Sequence, residues 1–177
     1  MNPKKRLRIG LDARPLVWPV SGTSRVISRV LEHYPDPGSV DFVLLAHGPC
    51  HDDYADVRQL PNVQWVQGRG WTVRSPALWY LLQLPFLFRR EKCDVFWGTQ
   101  QTIPPGIPRN VPAVLTFHDL VAWLFPRSMR TAARLQMYAL QRYSIRRADA
   151  VISVSRQTQD DMIARFGFPA HKARVAY

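Results

Sequence analysis

Short apolar runs alternate along this chain with stretches whose apolar residues recur at helical spacing, and that alternation restricts the fold to few architectures. Strands joined through helices must cross over, so they emerge parallel and buried on both faces. The runs fall at Leu7 to Leu11, Asp41 to Ala46, Val63 to Val66, Asp94 to Trp97, Ala113 to Phe117, Asp149 to Val154 and Arg174 to Tyr177. Between the first two, Val26, Ile27, Val30 and Leu31 share one face of a helix that Thr23 or Ser24 can cap. A second helical stretch covers Ser75 to Arg90, with Pro85 expected to interrupt it. The longest helix starts at Ser128 and runs to about Arg147, with Met129, Ala132, Ala133, Leu140 and Tyr143 inside and Arg130, Arg134, Arg142 and Arg146 outside. A last helix begins at Ser155, turns Met162, Ile163 and Phe166 inward and stops at Gly167 before Pro169. The expected class is α/β, with a doubly wound, mostly parallel sheet flanked by helices.

With 177 residues, 46% of them hydrophobic, the chain can bury the core of one globular domain spanning residues 1–177. The longest apolar run, Ala77 to Phe88, contains Gln83 and Pro85 and falls short of the roughly 20 residues a spanning helix needs. The basic start, Met1 to Arg8, leads directly into Ile9-Gly10-Leu11-Asp12 without the apolar core of a secretory signal. The expected location is therefore cytoplasmic. Cys50 and Cys93, the two cysteines, imply neither a disulfide framework nor a zinc site. Both are read as free structural thiols.

A net charge of +11 favours an anionic partner: nucleic acid, an anionic membrane or a phosphorylated ligand. The basic residues are scattered, and neither zinc-finger spacing nor an aromatic RNA-binding signature is present, so no nucleic acid is expected. A basic, non-catalytic α/β domain that binds nucleic acid is the alternative reading, and a solvated basic face is the plainest one. Around Trp71 to Arg90, Trp71, Trp79, Tyr80, Phe86 and Phe88 stand beside Arg74, Arg89 and Arg90. Core packing explains that composition first, and peripheral contact with an anionic membrane second.

Two places carry polar residues where parallel sheets bind ligands, at the carboxyl ends of strands. The loop Pro19 to Arg25 precedes the first helix, so its free amides and the helix dipole favour a phosphate, and Gly22 permits close approach. A glycine in such a turn is more often plain turn geometry, and taken alone the loop is read that way. His118-Asp119 ends the run Ala113 to Phe117, where an imidazole can bond a sugar hydroxyl or move a proton near neutral pH. The same pair can equally finish the strand and satisfy loop amides. No metal site is expected there, because adjacent side chains diverge and no third ligand is visible. His47, Cys50 and His51 read as loop residues rather than a ligand set. A dinucleotide-binding module is set aside for want of its glycine fingerprint.

Taken in order, Ile9-Gly10-Leu11-Asp12-Ala13-Arg14-Pro15, Gly22-Thr23-Ser24-Arg25, Asp94-Val95-Phe96-Trp97-Gly98, Thr116-Phe117-His118-Asp119-Leu120 and the stretch Arg147 to Ser155 resemble the family-four glycosyltransferases, particularly mannosyltransferase-like members. The closing stretches Arg165 to Pro169 and Lys172 to Tyr177 resemble the approach to that family's interdomain linker. The resemblance covers nearly the whole chain and implies a Rossmann-like domain, the N-terminal, acceptor-side half of a GT-B fold.

It further implies a retaining transfer of a hexose from a nucleotide-diphosphate sugar to a glycan or lipid-linked acceptor, without cofactor or metal. The loop Gly22, Thr23, Ser24 and Arg25 is expected to face the donor diphosphate, although Ser24 stands where the family often has a second glycine. His118 is expected to contact the transferred sugar as the catalytic residue, with Asp119 orienting its loop. Gln100, Gln101, Thr102 and Ser155, at strand ends, are candidates for acceptor binding. The donor-binding C-terminal domain, also a partner, is expected beyond Tyr177, because the chain stops within a strand-like run. Without that domain, turnover is expected to be negligible.

Overall fold

The computed structural model describes residues 5–124 and 131–176. In chain order it contains β1 (Leu7–Asp12), α1 (Gly22–Glu32), β2 (Val40–Ala46), α2 (Ala55–Gln59), β3 (Val63–Gln67), α3 (Pro76–Leu78), α4 (Leu84–Arg90), β4 (Val95–Gly98), β5 (Ala113–Phe117), α5 (Val121–Leu124), α6 (Thr131–Arg147), β6 (Ala150–Ser153), α7 (Arg156–Phe166) and β7 (Ala173–Val175). The chain divides into two compact units, residues 1–97 with 106–111, and residues 98–105 with 112–177.

In the first unit the strands are ordered β3-β2-β1-β4, and each pairing is parallel. The order reverses between β1 and β4, since the chain builds outward through β2 and β3 before returning to β1's other side. Both faces are covered. On one, Leu11, Phe42, Leu44 and Ala46 pack with Ile27 and Leu31 of α1 and Val57 of α2. On the other, a β-carbon added to Gly10 would lie 2.7 Å from the Phe88 ring and 2.9 Å from Cys93 Sγ, so this position has no room for a side chain. Phe88 also meets Phe96 edge-on, with ring centroids 5.6 Å apart.

Two helix details differ from expectation. The N-cap of α1 is Ser21, whose Oγ accepts from the Ser24 amide, while the Ser24 hydroxyl accepts from the Ser21 amide at 2.8 Å. The buried face of α1 is accordingly Ser24, Ile27, Ser28 and Leu31, and Val30 points outward. Pro85 does not break its helix: a π turn at Trp79–Gln83 links α3 to α4. That wider winding accommodates a ring that would otherwise strike the carbonyl one turn back.

The second unit holds β5-β6-β7, again paired in parallel. Ser155 caps α7, and Gly167 ends it at φ 65° in the left-handed region, as the sequence predicts. The start expected for the longest helix, residues 128–130, lies outside the described residues. Within α6 the buried residues include Gln141, Ser144 and Ile145, whereas Leu140 and Tyr143 are only half-buried. Polar residues can face inward here because they are bonded: Ser144 Oγ accepts the Ile103 amide at 2.7 Å, and Gln141 Oε1 accepts Trp123 Nε1 at 2.6 Å.

Candidate functional site

In the first unit, polar chemistry collects at the carboxyl end of the sheet, where the strand order reverses. β1 ends on Asp12, which is fully buried. Arg14, two residues on in a 3-10 turn, donates from Nε to both Asp12 oxygens (2.9 and 3.1 Å) and from Nη2 to one of them (2.7 Å). Its guanidinium rests over the Tyr80 ring, 3.8 Å from the centroid. Burial works against the Arg14 charge, but the attraction and hydrogen bonds of Asp12 prevail and hold its pKa above the ordinary arginine value.

His47 follows directly on β2, beside this pair and 9% exposed. Burial first, and then the Arg14 charge, push its pKa down, so the ring is neutral at pH 7. Its Nδ1 is buried without a hydrogen-bond partner among the described residues. Trp18, 59% exposed, lies 6.1 Å from the His47 ring, and buried Trp79 lies 5.9 Å away on a tilted plane. Residues from β1's exit turn, the β2 exit and the π turn thus meet in one cluster. The sequence reading places His47 in a loop and, for Asp12 and Arg14, puts structural duty ahead of substrate contact. Their meeting depends on strand order, which no local pattern encodes.

The loop before α1 is exposed at Ser21 and Gly22. The Gly22 and Thr23 amides stand at the positive end of an eleven-residue helix and have no bond among the described residues. A β-carbon added to Gly22 would meet nothing within 4 Å, so protein packing does not require glycine there. Ser24 is different: it is fully buried, closes the cap and accepts the Tyr54 hydroxyl at 2.6 Å. Arg25 is exposed, with its amide bonded to the Ser21 carbonyl at 3.0 Å. An anion at this loop would therefore meet backbone amides and Arg25 rather than the Ser24 hydroxyl.

In the second unit, His118 follows β5 immediately and is half-buried. Its Nε2 sits 2.8 Å from the Thr99 carbonyl, an acceptor, so Nε2 carries the proton and a neutral ring presents Nδ1 as an acceptor. Thr158 Oγ1 donates to the His118 carbonyl at 3.3 Å, and Ser155 Oγ donates to Thr158 Oγ1 at 2.9 Å. His118 and Ser155 are thereby joined through the first turn of α7.

Gln101 has φ 60°, unusual for a residue with a side chain. Its side-chain amide lies 2.9 Å from the Asp119 carbonyl and 3.3 Å from the Asp119 amide. The backbone carrying His118-Asp119 is braced from the loop after β4. Asp119 itself is exposed, Gln100 half-buried, and Thr102 buried at 4% exposure. Gly98 fits this tight loop because a β-carbon there would lie 2.5 Å from the Thr102 carbonyl. Gly22 to Arg25 belong to the first unit, and His118, Asp119, Gln100, Gln101, Thr102 and Ser155 to the second.

Among the described residues, no three His, Cys, Asp or Glu side chains gather as a metal site. A hollow of about 560 Å³ lies between β3 and α4 and is lined by Trp65, Gln67, Arg69, Phe86 and Arg90.

Parallel strands wound on both faces, with polar residues at the strand exits, define a Rossmann-like α/β protein. The chain belongs to Glycosyltransferase Family 4, whose model matches residues 20–177. Among solved structures, HepE (Alr3699) from Anabaena, crystallised with UDP and glucose, is similar over 98% of this chain and 44% of its own, at TM-score 0.58 and 16% identity. A glycosyltransferase from Rickettsia africae is similar over 97% of this chain and 43% of its own (TM-score 0.57, 10% identity). The lipopolysaccharide outer core galactosyltransferase WaaB, in its apo form, is similar over 96% and 44% (TM-score 0.52, 10% identity). At such identities the likeness establishes the fold, and the chain spans less than half the length of each of these structures. No curated protein matches the sequence.

Proposed function

We propose that this chain is the acceptor-side half of a retaining glycosyltransferase that moves a hexose, mannose in the first instance, from a nucleotide-diphosphate sugar to a glycan or lipid-linked acceptor in cell-surface polysaccharide synthesis. The observation that carries the reading is His118: an imidazole at a strand's carboxyl end, with Nε2 committed to the Thr99 carbonyl and Nδ1 presented as an acceptor. Such a group accepts a hydrogen bond from a sugar hydroxyl and supports positive charge developing at the anomeric carbon. The Gly22 and Thr23 amides suit a diphosphate, as the UDP-bound likeness of HepE also suggests. Gln101 and Thr158 hold the His118 backbone from two sides and so fix where the ring points.

The donor's sugar and base contacts are assigned to a further domain, with no cofactor or metal taking part. Lacking an oriented donor, the chain by itself turns over negligibly, because proximity in a complete cleft contributes about 7–11 kcal/mol in well-aligned systems. The test is a screen of nucleotide-diphosphate sugars with the full-length protein and its His118→Ala variant. Transfer from one donor is expected, falling about 100-fold or more in the variant. An unchanged rate in His118→Ala removes the residue from the chemistry, and no transfer from any donor removes the reading.

A further inference from the structure

Two polar side chains of α6, Gln141 and Ser144, are buried at 2% and 0% exposure, and both reach the loop 99–103 rather than solvent. Ser144 Oγ accepts the Ile103 amide at 2.7 Å. Gln141 Nε2 donates to Gln101 Oε1 at 2.7 Å, while Gln141 Oε1 accepts Trp123 Nε1 at 2.6 Å. The far end fixes the direction of this chain of bonds, because an indole nitrogen only donates. Gln141 therefore turns its oxygen to Trp123 and its amide nitrogen to Gln101. Trp123 is itself held, stacked on Tyr138 with ring centroids 3.9 Å apart and with the Arg165 guanidinium 4.5 Å from its ring centroid. A leucine at position 141 would fill the same space without two polar atoms to satisfy, so packing alone does not account for this glutamine.

The loop it reaches needs holding. Gln101 sits at φ 60°, a left-handed conformation that is unfavourable for a residue with a β-carbon and persists only where the surroundings impose it. Its backbone amide donates to the Thr116 carbonyl of β5 at 3.2 Å, so Gln101 is tied by backbone to the sheet and by side chain to α6. Two residues earlier in the same loop lies the Thr99 carbonyl that accepts from His118 Nε2 at 2.8 Å.

We propose that Gln141 is a positioning residue for His118. Through Gln101 it holds the loop 99–103 in its strained form. That form sets the Thr99 carbonyl against Nε2 and commits the imidazole to the tautomer that offers Nδ1 to a ligand. The inference rests on the proposed function only for what Nδ1 goes on to do, since the tautomer belongs to the protein without donor or acceptor.

The test reads the tautomer directly. The full-length protein, labelled with nitrogen-15 in its histidines, is examined by NMR at about pH 8, above the ordinary histidine range, the His118 signals being those that His118→Ala removes. The wild type is expected to show one tautomer, protonated at Nε2. Gln141→Leu removes both hydrogen bonds at nearly constant volume and is expected to show both tautomers. Where transfer is measured, its kcat is expected to fall about tenfold or more while the donor KM changes by less than about twofold. Gln101→Gly suits the backbone of that position and keeps the loop folded, yet lacks the side chain that Gln141 grips, so it is expected to match Gln141→Leu and to decide the question should that variant not fold. Gln141→Glu keeps an acceptor for Trp123, and the Gln101 amide can then turn round to donate both to the new carboxylate and to the Asp119 carbonyl 2.9 Å away. That variant is expected to restore the single tautomer.

Two tautomers in the wild type, or one in both Gln141→Leu and Gln101→Gly, overturn the proposal. So does a Gln141→Glu variant that is folded by circular dichroism yet mixed like Gln141→Leu. The expected tautomers together with no transfer from any donor uphold the positioning role and remove only the proposed reaction.

Discussion

The Arg14 guanidinium closes on the buried Asp12 carboxylate through Nε and Nη2, the shortest contact being 2.7 Å, and covers the Tyr80 ring from the same position. Asp12 has no exposed surface, so Arg14→Ala takes the opposing charge away from a buried carboxylate. Arg14→Ala is expected to destabilise the protein by about 3–5 kcal/mol, the cost of stranding one member of a buried ion pair. Urea unfolding of the two proteins measures this. A loss below about 1 kcal/mol would mean that the pair behaves like a surface salt bridge.

Ser21 and Gly22 separate the structural from the ligand-facing part of the loop before α1. Ser21→Ala removes the N-cap of α1 and is expected to cost about 1 kcal/mol. Gly22→Ala meets open space at a helical position and is expected to leave the thermal midpoint level or raise it slightly. If Gly22→Ala nevertheless weakens UDP or GDP binding in the full-length protein, the glycine serves the ligand. Equal affinity in both would reduce it to turn geometry.

What could be read in advance follows from what is local. Strand positions and the ends of α7 were legible because apolar runs, Ser155 and Gly167 act within a few residues. The cap of α1 falls on Ser21 rather than on Thr23 or Ser24, all three being capping residues, because Ser24 is tied back to Ser21 and to the buried Tyr54 hydroxyl from far along the chain. The inner face of α6 was misjudged because Gln141 and Ser144 are buried through hydrogen bonds, which periodicity of apolar residues cannot register. At the candidate site, His118 stood out from its place after a strand. The brace from Gln101 and the gathering of Trp18, His47 and Arg14 arise from loops brought together only by the fold.

Cys93 offers a check on the packing beneath β1. Burial pushes its pKa up to about 12, and the thiol is 8% exposed, so the thiolate is scarce at neutral pH. In the folded protein, iodoacetamide at about pH 8 is expected to leave Cys93 unmodified, and denaturant to release it for complete reaction, with peptide mass spectrometry reading both. Gly10→Ala drives a methyl group into Phe88 and Cys93 and is expected to cost about 1–3 kcal/mol, with Cys93 becoming reactive before global unfolding. Rapid labelling of Cys93 in the native wild type would contradict the packing described for this face.

His47 sets a pH dependence whose sign follows from its burial. Burial and the nearby Arg14 charge lower its pKa in the folded protein from the ordinary 6.5, with the Asp12 charge opposing them. Below about pH 6.5 the unfolded chain therefore takes up a proton that the folded chain resists, and stability falls as pH drops. Above that value both states are neutral at this residue, and it contributes no slope. The informative quantity is the difference between wild type and a His47→Phe variant, which isolates this one imidazole. Between about pH 8 and about pH 5 the wild type is expected to lose more unfolding free energy than the variant, the gap opening only below the ordinary histidine range. Parallel curves would mean that the imidazole charges freely in the fold. A gap of opposite sign would place a compensating carboxylate against its buried Nδ1, where none of the described side chains bonds it.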